Sequence, residues 1–135
     1  MTLGTVRHHI RIHRTADEVW AKVGDPAALH TWFPGITDCH VDGTSRTITM
    51  GTGMQMPEEI ITHDHLLRRF QYRIATPIFQ FHRGTIDVLD MGDGTSVVVY
   101  TTEADPRTMA LAIGGGTAGA LDELKRQLEP NEGAA

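Results

Sequence analysis

Apolar and polar residues alternate through most of the chain, and this alternation predicts an antiparallel sheet. In residues 5–14, one face holds Val6, His8, Ile10 and Ile12, which is the pattern of a half-buried strand. The same pattern predicts further strands at about 36–42, 46–51, 54–63, 69–74, 79–90 and 97–103. Residues 91–94, before the last of them, end in Asp-Gly and favour a tight hairpin turn because glycine tolerates positive φ.

Two short helices are predicted between the first and second strands. Thr15 and Glu18 have the spacing of a capping box, in which each side chain binds the other's backbone amide. Gly24 ends this helix. Asp25-Pro26 is a second helix start, so a further short helix should run to about His30.

The longest helix is predicted near the end of the chain, from Asp105 to Leu128. Asp105 would cap it, and Pro106 would fill its first helical position. Its apolar side recurs at steps of three, four and eight residues and comprises Met109, Ile113, Leu121, Leu124 and Leu128. Residues 114–119 include four glycines, each costing roughly 1 kcal/mol relative to alanine inside a helix. This section therefore predicts a slim part of the helix with space beside it.

The order of these elements predicts an α+β fold in which a curved antiparallel sheet of about seven strands wraps around the long C-terminal helix. Right-handed twist curls consecutive hairpin-linked strands and gives the sheet one concave face. Only the last helix is long enough to fill that concavity. The 135 residues are predicted to form a single domain, 1–135, with a frayed tail at 130–135.

Composition and charge narrow the classes of partner. The chain is 40% hydrophobic and 21% charged, and its net charge of −5 argues against nucleic acid and against anionic membrane surfaces. No apolar run approaches the length of a membrane span, so no stable membrane insertion is expected. The single cysteine, Cys39, excludes an internal disulfide and is consistent with a reducing compartment. We expect a cytoplasmic monomer or homodimer.

Patterns for metal, phosphate or thiol chemistry are weak. His63-Asp64-His65 puts two imidazoles on one strand face, but no third ligand has a helpful spacing. The glycines before Thr117 lack the Gly-Lys-Ser/Thr that completes a phosphate loop. Cys39 has no evident activating partner. We therefore expect no metal and no cofactor.

Several local motifs recur in an order that matches a known family over nearly the whole chain. They are Thr15-Ala16-Asp17-Glu18-Val19-Trp20, Gly24-Asp25-Pro26-Ala27, Trp32, Pro34-Gly35, Glu58, His63-Asp64, Arg69, Tyr72-Arg73-Ile74 and Gly92-Asp93-Gly94-Thr95-Ser96. Together with the element order, they resemble the START/Bet v 1-like (SRPBCC) superfamily, and within it the bacterial polyketide cyclase/dehydrase and lipid-transport family. The resemblance implies the helix-grip fold and a deep cavity, between sheet and C-terminal helix, for a hydrophobic or amphipathic small molecule. It implies no common set of catalytic residues.

Five polar or titratable side chains are predicted to point to the concave side: His8, Glu58, Tyr72, His82 and Tyr100. Burial there would shift their pKa values, so Glu58 or His82 could act as a base and Tyr72 or Tyr100 as a proton donor. Alternatively, Glu58 is hydrogen-bonded to Tyr72 or Tyr100 and serves the structure or orients a ligand. We favour this second interpretation.

Apolar ligand-binding positions are predicted at Met54, Met56, Met109 and Ile113, because methionine adapts to irregular ligands. Met50 and Met91 are either lining residues or core filler. Trp32 and Phe33 are either core anchors or the lip of the cavity mouth. The lip is favoured, since in the helix-grip arrangement the loop after the short helices borders the cavity.

Three functions are open at this point. The favoured one is binding of a small hydrophobic, lipid- or polyketide-like molecule in the internal cavity. The second is a cyclase or dehydratase that uses the acid–base residues of that cavity, and the third is an interaction protein with a vestigial cavity. An open apolar cavity would favour binding, whereas a free Glu58 and a free histidine near one ligand position would favour chemistry.

Overall fold

The computed structural model describes residues 2–130, and the elements follow the predicted order. The strands are β1 (Gly4–Ile12), β2 (Ile36–Asp42), β3 (Ser45–Met50), β4 (Gln55–Asp64), β5 (Arg69–Ile74), β6 (Phe81–Asp90) and β7 (Ser96–Asp105). The helices are α1 (Ala16–Val23), a 3₁₀ helix (Pro26–Thr31) and the C-terminal α2 (Arg107–Leu128). Most of the tail predicted at 130–135 lies outside the described residues.

The seven strands form one antiparallel sheet in the order β1-β7-β6-β5-β4-β3-β2. Six of the strands follow one another as neighbours, and β1 joins β7 at the far edge. Helix α2 lies against β1 and β7, whereas the 3₁₀ helix contacts β2. The α+β helix-grip fold predicted from the sequence is therefore confirmed.

The starts of both short helices have the predicted caps. The Thr15 hydroxyl accepts a hydrogen bond from the Glu18 backbone N–H at 3.2 Å, and the Glu18 carboxylate accepts one from the Thr15 backbone N–H. Gly24 ends α1, and Asp25 accepts from the Ala27 N–H at 3.0 Å. These local bonds satisfy helix-end amides that would otherwise have no partner.

The predicted start of the long helix is one residue too early. Asp105 is the last residue of β7, opposite Phe81, and its carbonyl accepts from the Gln80 N–H at 2.8 Å. Its backbone therefore belongs to the sheet. Pro106 occupies the N-cap position without a side-chain hydrogen bond, and the helix begins at Arg107.

The glycine-rich part of α2 has two different surroundings. A Cβ on Gly114 would lie 2.6 Å from the Val6 side chain, so this glycine lets the helix approach β1 closely. A Cβ on Gly115 would meet nothing within 4 Å, and one on Gly116 would lie 3.5 Å from the Phe33 ring. Of these three glycines only Gly116 lines the cavity, whereas Gly115 is exposed to open space.

Helix α2 buries one face, through Ala110, Gly114, Thr117, Ala120, Leu121 and Leu124. This face packs into a core with the concave side of the sheet, where Val98 and Tyr100 are fully buried. Within the described residues, no helix is both long enough and apolar enough to cross a membrane.

Candidate functional site

A cavity of about 370 Å³ lies between the sheet and the N-terminal half of α2. It is bordered by the 3₁₀ helix and the loop after it, by strands β2 to β5, by the loop before β6 and by α2. Its lining comprises Leu29, Phe33, Pro34, Ile36, Ile48, Met50, Met54, Met56, Glu58, Tyr72, Ile74, Ile78, Phe79, Met109, Ala112, Ile113 and Gly116. Only Glu58 and Tyr72 contribute polar side-chain atoms, so the cavity is largely apolar.

The structure brings seven of the predicted ligand positions together around this cavity: Phe33, Met54, Met56, Glu58, Tyr72, Met109 and Ile113. Of the two methionines left undecided, Met50 lines the cavity and Met91 lies in the turn after β6. The other four predicted positions, His8, Trp32, His82 and Tyr100, do not line it.

Trp32 lies in the core instead of at the lip of the mouth. Its side chain is buried, with its ring centre 6.2 Å from that of Phe33 and 6.4 Å from that of Tyr100. Phe33 is only partly buried and lines the cavity. The sequence could not separate these adjacent aromatics, because only the direction of the chain after the 3₁₀ helix decides which of them turns inward.

His8 and Tyr100 face the concave side as expected, but at the wrong end of the sheet. They are opposite each other on β1 and β7, where α2 covers the strands, whereas the cavity lies over β3 to β5. Tyr100 is fully buried and reaches the site only through its hydroxyl, which is 2.5 Å from that of Tyr72.

His82 is buried behind the cavity lining and not within it. Its Nδ1 accepts a hydrogen bond from the Ile74 N–H at 2.9 Å, just where β5 separates from β6. The rings of Tyr72 and Phe79, which do line the cavity, pack 5.6 and 5.2 Å from it. Burial lowers the pKa of His82 to about 4, so the imidazole is neutral near pH 7 and acts as a backbone acceptor.

Glu58 is bound by a residue that the sequence analysis did not single out. Arg46 lies opposite Glu58 in the β3–β4 pairing, and its Nε donates to Glu58 Oε1 at 2.7 Å. Nη2 is 2.6 Å from the same oxygen, although not in a good hydrogen-bonding direction. Among the described residues, Glu58 makes no hydrogen bond to Tyr72 or Tyr100, so that expectation was wrong. Alternation with Ile48 and Met50 indicates that Arg46 points inward, but only the register of β3 with β4 pairs it with Glu58.

The Arg46 guanidinium contacts two aromatic rings and a backbone carbonyl as well as Glu58. It lies 5.1 Å from the Phe70 ring centre and 5.0 Å from that of Tyr72, and its Nη1 donates to the Pro26 carbonyl at 3.1 Å. Burial by itself lowers the pKa of Arg46, but Glu58 and the tyrosines outweigh it and raise that pKa. Burial raises the pKa of Glu58 despite the opposing effect of Arg46. The pair thus fixes the 3₁₀ helix, β3 and β4 around one side of the cavity.

Tyr72 reaches Tyr100 because Gly84 leaves room on the strand between them. A Cβ on Gly84 would lie 2.5 Å from the Tyr72 ring, so the ring crosses β6 at this glycine. The two hydroxyls then form a short hydrogen bond of 2.5 Å. Burial raises the pKa of both tyrosines far above neutrality, so both hydroxyls are protonated under physiological conditions.

No group of three or more His, Cys, Asp or Glu side chains in residues 2–130 is arranged to hold a metal ion. Both strand-end histidines have other partners: His63 Nε2 lies 2.6 Å from the Gly24 carbonyl, and His65 Nδ1 accepts from the Trp20 indole at 3.0 Å. Cys39 is half-buried, and desolvation raises the pKa of its thiol, which makes it a poor nucleophile.

Comparison with solved structures identifies the same architecture in proteins of low sequence identity. The XoxI protein of Bacillus cereus has a TM-score of 0.88 at 20% identity, over 96% of this chain and 98% of its own. A START superfamily protein from Mycobacterium smegmatis has a TM-score of 0.77 at 11% identity, over 93% and 97%. Norcoclaurine synthase from Thalictrum flavum, in complex with dopamine and hydroxybenzaldehyde, has a TM-score of 0.75 at 18% identity, over 97% and 89%.

No protein of curated function matches the sequence. The sequence does match a family model over residues 4–129, which is nearly all of the described chain. With the START-like architecture and the cavity between sheet and helix, this match places the chain in the polyketide cyclase/dehydrase and lipid transport family.

Proposed function

We propose that the protein binds a small hydrophobic molecule in the cavity between the sheet and α2. The observation that supports this most directly is the cavity itself, whose volume of about 370 Å³ falls within the usual range for ligand pockets. Its lining is mostly aliphatic, aromatic and thioether side chains. An apolar ligand that buries apolar surface against this lining gains roughly 25 cal/mol of favourable free energy per Å².

Methionines support a ligand of irregular shape. Met50, Met54, Met56 and Met109 surround the cavity from β3, β4, α2 and the loop that joins β3 to β4. Met54 is 57% exposed and Ile78 is 56% exposed, so both present apolar surface to solvent at the cavity. Flexible thioethers can adjust to different apolar shapes at little cost.

Binding is better supported than catalysis by the state of the acid–base residues. The Glu58 carboxylate is bound to Arg46, and His82 does not line the cavity. A cyclase or dehydratase is the second candidate, since Glu58 and Tyr72 line the same space. An interaction protein with a vestigial cavity is the least supported, because the cavity remains open.

We expect a small hydrophobic molecule as the physiological partner, no nucleic acid, and a cytoplasmic monomer or homodimer. The net charge of −5 is the reason for expecting no nucleic acid.

Native mass spectrometry of the purified protein, followed by denaturing extraction, tests the binding function. We expect a co-purifying apolar molecule in the wild type and its loss in Met56→Trp and Met109→Trp, which fill the cavity. Met91→Trp is the matched control, because Met91 lies outside the cavity lining. If the wild type is empty and a broad panel of lipids and aromatic polyketides leaves its melting temperature unchanged, the binding function is wrong.

A further inference from the structure

The two carboxylate oxygens of Glu58 have different surroundings. Both close contacts of Arg46, from Nε and Nη2, are made to Oε1. Oε2 accepts no hydrogen bond from any residue between 2 and 130. The Glu58 side chain is only about 2% exposed, but it lines the cavity. Oε2 is therefore an acceptor at the cavity wall that lacks a protein donor.

Tyr72 offers a hydrogen-bond donor to the same cavity. Tyr72 and Tyr100 have two hydroxyl protons but share one hydrogen bond. Tyr100 is fully buried and does not line the cavity, so the Tyr72 hydroxyl is its only acceptor among the described residues, and we assign Tyr100 as the donor. The Tyr72 proton is then directed away from Tyr100, and Tyr72 is the member of the pair that lines the cavity.

The cavity has no positive charge available for an anion. None of its lining residues is Lys, Arg or His. The nearby Arg46 is buried behind the lining, and its charge is already matched by Glu58. A carboxylate or phosphate group would lose its hydration without gaining a counter-charge, and it would lie near the Glu58 anion.

We propose that the ligand is an uncharged apolar molecule with a hydroxyl group, which donates a hydrogen bond to Glu58 Oε2. This inference rests on the proposed binding function and adds the chemical class of the ligand. Phenols and alcohols belong to this class, whereas free fatty acids and other carboxylates are excluded from it. Tyr72 supplies a donor for an oxygen of the same ligand.

A matched series of probes tests the proposal on the wild-type protein, by calorimetry at neutral pH. Naphthol can donate to Glu58, its methyl ether can only accept, naphthalene can do neither, and naphthoate is an anion. We expect naphthol to bind about tenfold or more tightly than the methyl ether, because hydrogen bonds to charged groups contribute about 1.5–3 kcal/mol. Naphthoate should bind most weakly.

The double variant Arg46→Met/Glu58→Leu removes the acceptor without leaving an unpaired buried charge. It should retain naphthalene binding and lose the preference for naphthol over the ether, and circular dichroism should confirm its folded state. Met109→Trp should weaken binding of all the neutral probes, which localises them to the cavity.

Two results would overturn the proposal, and they are distinguishable from failure of the binding function. Equal affinity of the wild type for naphthol and its methyl ether would show that Oε2 accepts nothing from the ligand. Tightest binding by naphthoate would show that the cavity accepts anions. If even naphthalene fails to bind, the proposed binding function fails together with this inference.

Discussion

At the scale of single residues, the Arg46–Glu58 pair dominates the site. Each side chain is about 2% exposed, so each charge has lost nearly all its hydration and depends on the other for compensation. Breaking a buried pair costs much more than its net contribution, because one charge is left alone in the interior. The neighbouring pair Arg73–Glu59, also between adjacent strands, is about half exposed and provides a natural comparison.

Glu58→Gln should lower the free energy of unfolding by about 3–5 kcal/mol, whereas Glu59→Gln should lower it by at most about 1 kcal/mol. Urea denaturation of both variants measures the difference. The double variant Arg46→Met/Glu58→Leu should recover most of the loss, since it removes both charges. Equal effects of the two single variants would contradict the described burial of Glu58.

His82 should make stability depend on pH in a defined window. Its pKa is lowered from 6.5 to about 4 in the folded state. Between pH 6.5 and pH 4, His82 is protonated in the unfolded chain but neutral in the folded protein. Its contribution to stability is therefore fully present above pH 6.5 and is lost as the pH falls toward 4. The loss is of the order of 3 kcal/mol.

Denaturation across this pH window should show a shallower slope in His82→Asn than in the wild type. The asparagine oxygen can accept from the Ile74 amide, yet it does not titrate. His9→Asn serves as the control, because His9 is an exposed histidine on β1. Indistinguishable slopes in wild type and His82→Asn would show that His82 is not the group responsible.

At the scale of elements, α2 shows what the glycines contribute. Gly114 and Gly115 are adjacent in the helix, but Gly114 is buried against Val6 and Gly115 is exposed to open space. Gly115→Ala should raise the free energy of unfolding by about 1 kcal/mol, because alanine favours the helix. Gly114→Ala should lower it by about 1–3 kcal/mol, because its Cβ would lie 2.6 Å from the Val6 side chain.

Thermal denaturation of the two glycine variants measures this contrast, and each serves as the control for the other. Similar shifts of the melting temperature in both variants would mean that the close approach of α2 to β1 does not restrict the side chain at position 114.

The contrast between Gly114 and Gly115 also shows why the sequence predicted the helix only imprecisely. A run of glycines indicates a slim helix, but only the position of β1 shows which of its sides is filled.

The elements themselves were largely predictable because their signals are local. The capping box of Thr15 and Glu18 and the alternation in each strand depend on near neighbours in the chain. The start of α2 was not predictable in this way. Asp105 has the sequence of a helix cap, but its backbone is held by Gln80 and Phe81 from β6 and the loop before it.

At the scale of the whole molecule, the alternation of inward and outward side chains along each strand predicted the concave face but not where on that face the cavity lies. His8 and Tyr100 have the correct parity, yet they lie beneath α2 at the β1 side of the sheet. Arg46 was missed for a related reason. Its role depends on its register with Glu58 on the next strand, which alternation within one strand does not reveal.

The end of β1 and the residues after it contact the end of α2. Lys125 donates to the Arg11 carbonyl at 2.6 Å and to Glu129 at 2.8 Å. Glu129 also accepts from the His13 backbone N–H at 3.0 Å. Partial burial alone would raise the pKa of Glu129, but these hydrogen bonds outweigh it and lower that pKa to about 2. The end of α2 is thereby fastened to the end of β1.

Glu129→Gln should lower stability by about 1 kcal/mol near neutral pH, since much of this contact is solvent-screened. The folded pKa lies below the usual value of 4.5, so the contribution of Glu129 is complete above pH 4.5 and disappears as the pH falls toward 2. The stabilities of the variant and the wild type should therefore converge in acid.

In the Glu129→Gln variant, hydrogen exchange should quicken at the end of β1 and in the last turn of α2. Ligand affinity should stay unchanged, because the cavity lies at the other end of the helix. Asp122→Asn, at an exposed position of the same helix, should change neither property. A constant stability difference down to pH 2 would show that the Glu129 carboxylate does not provide the contact.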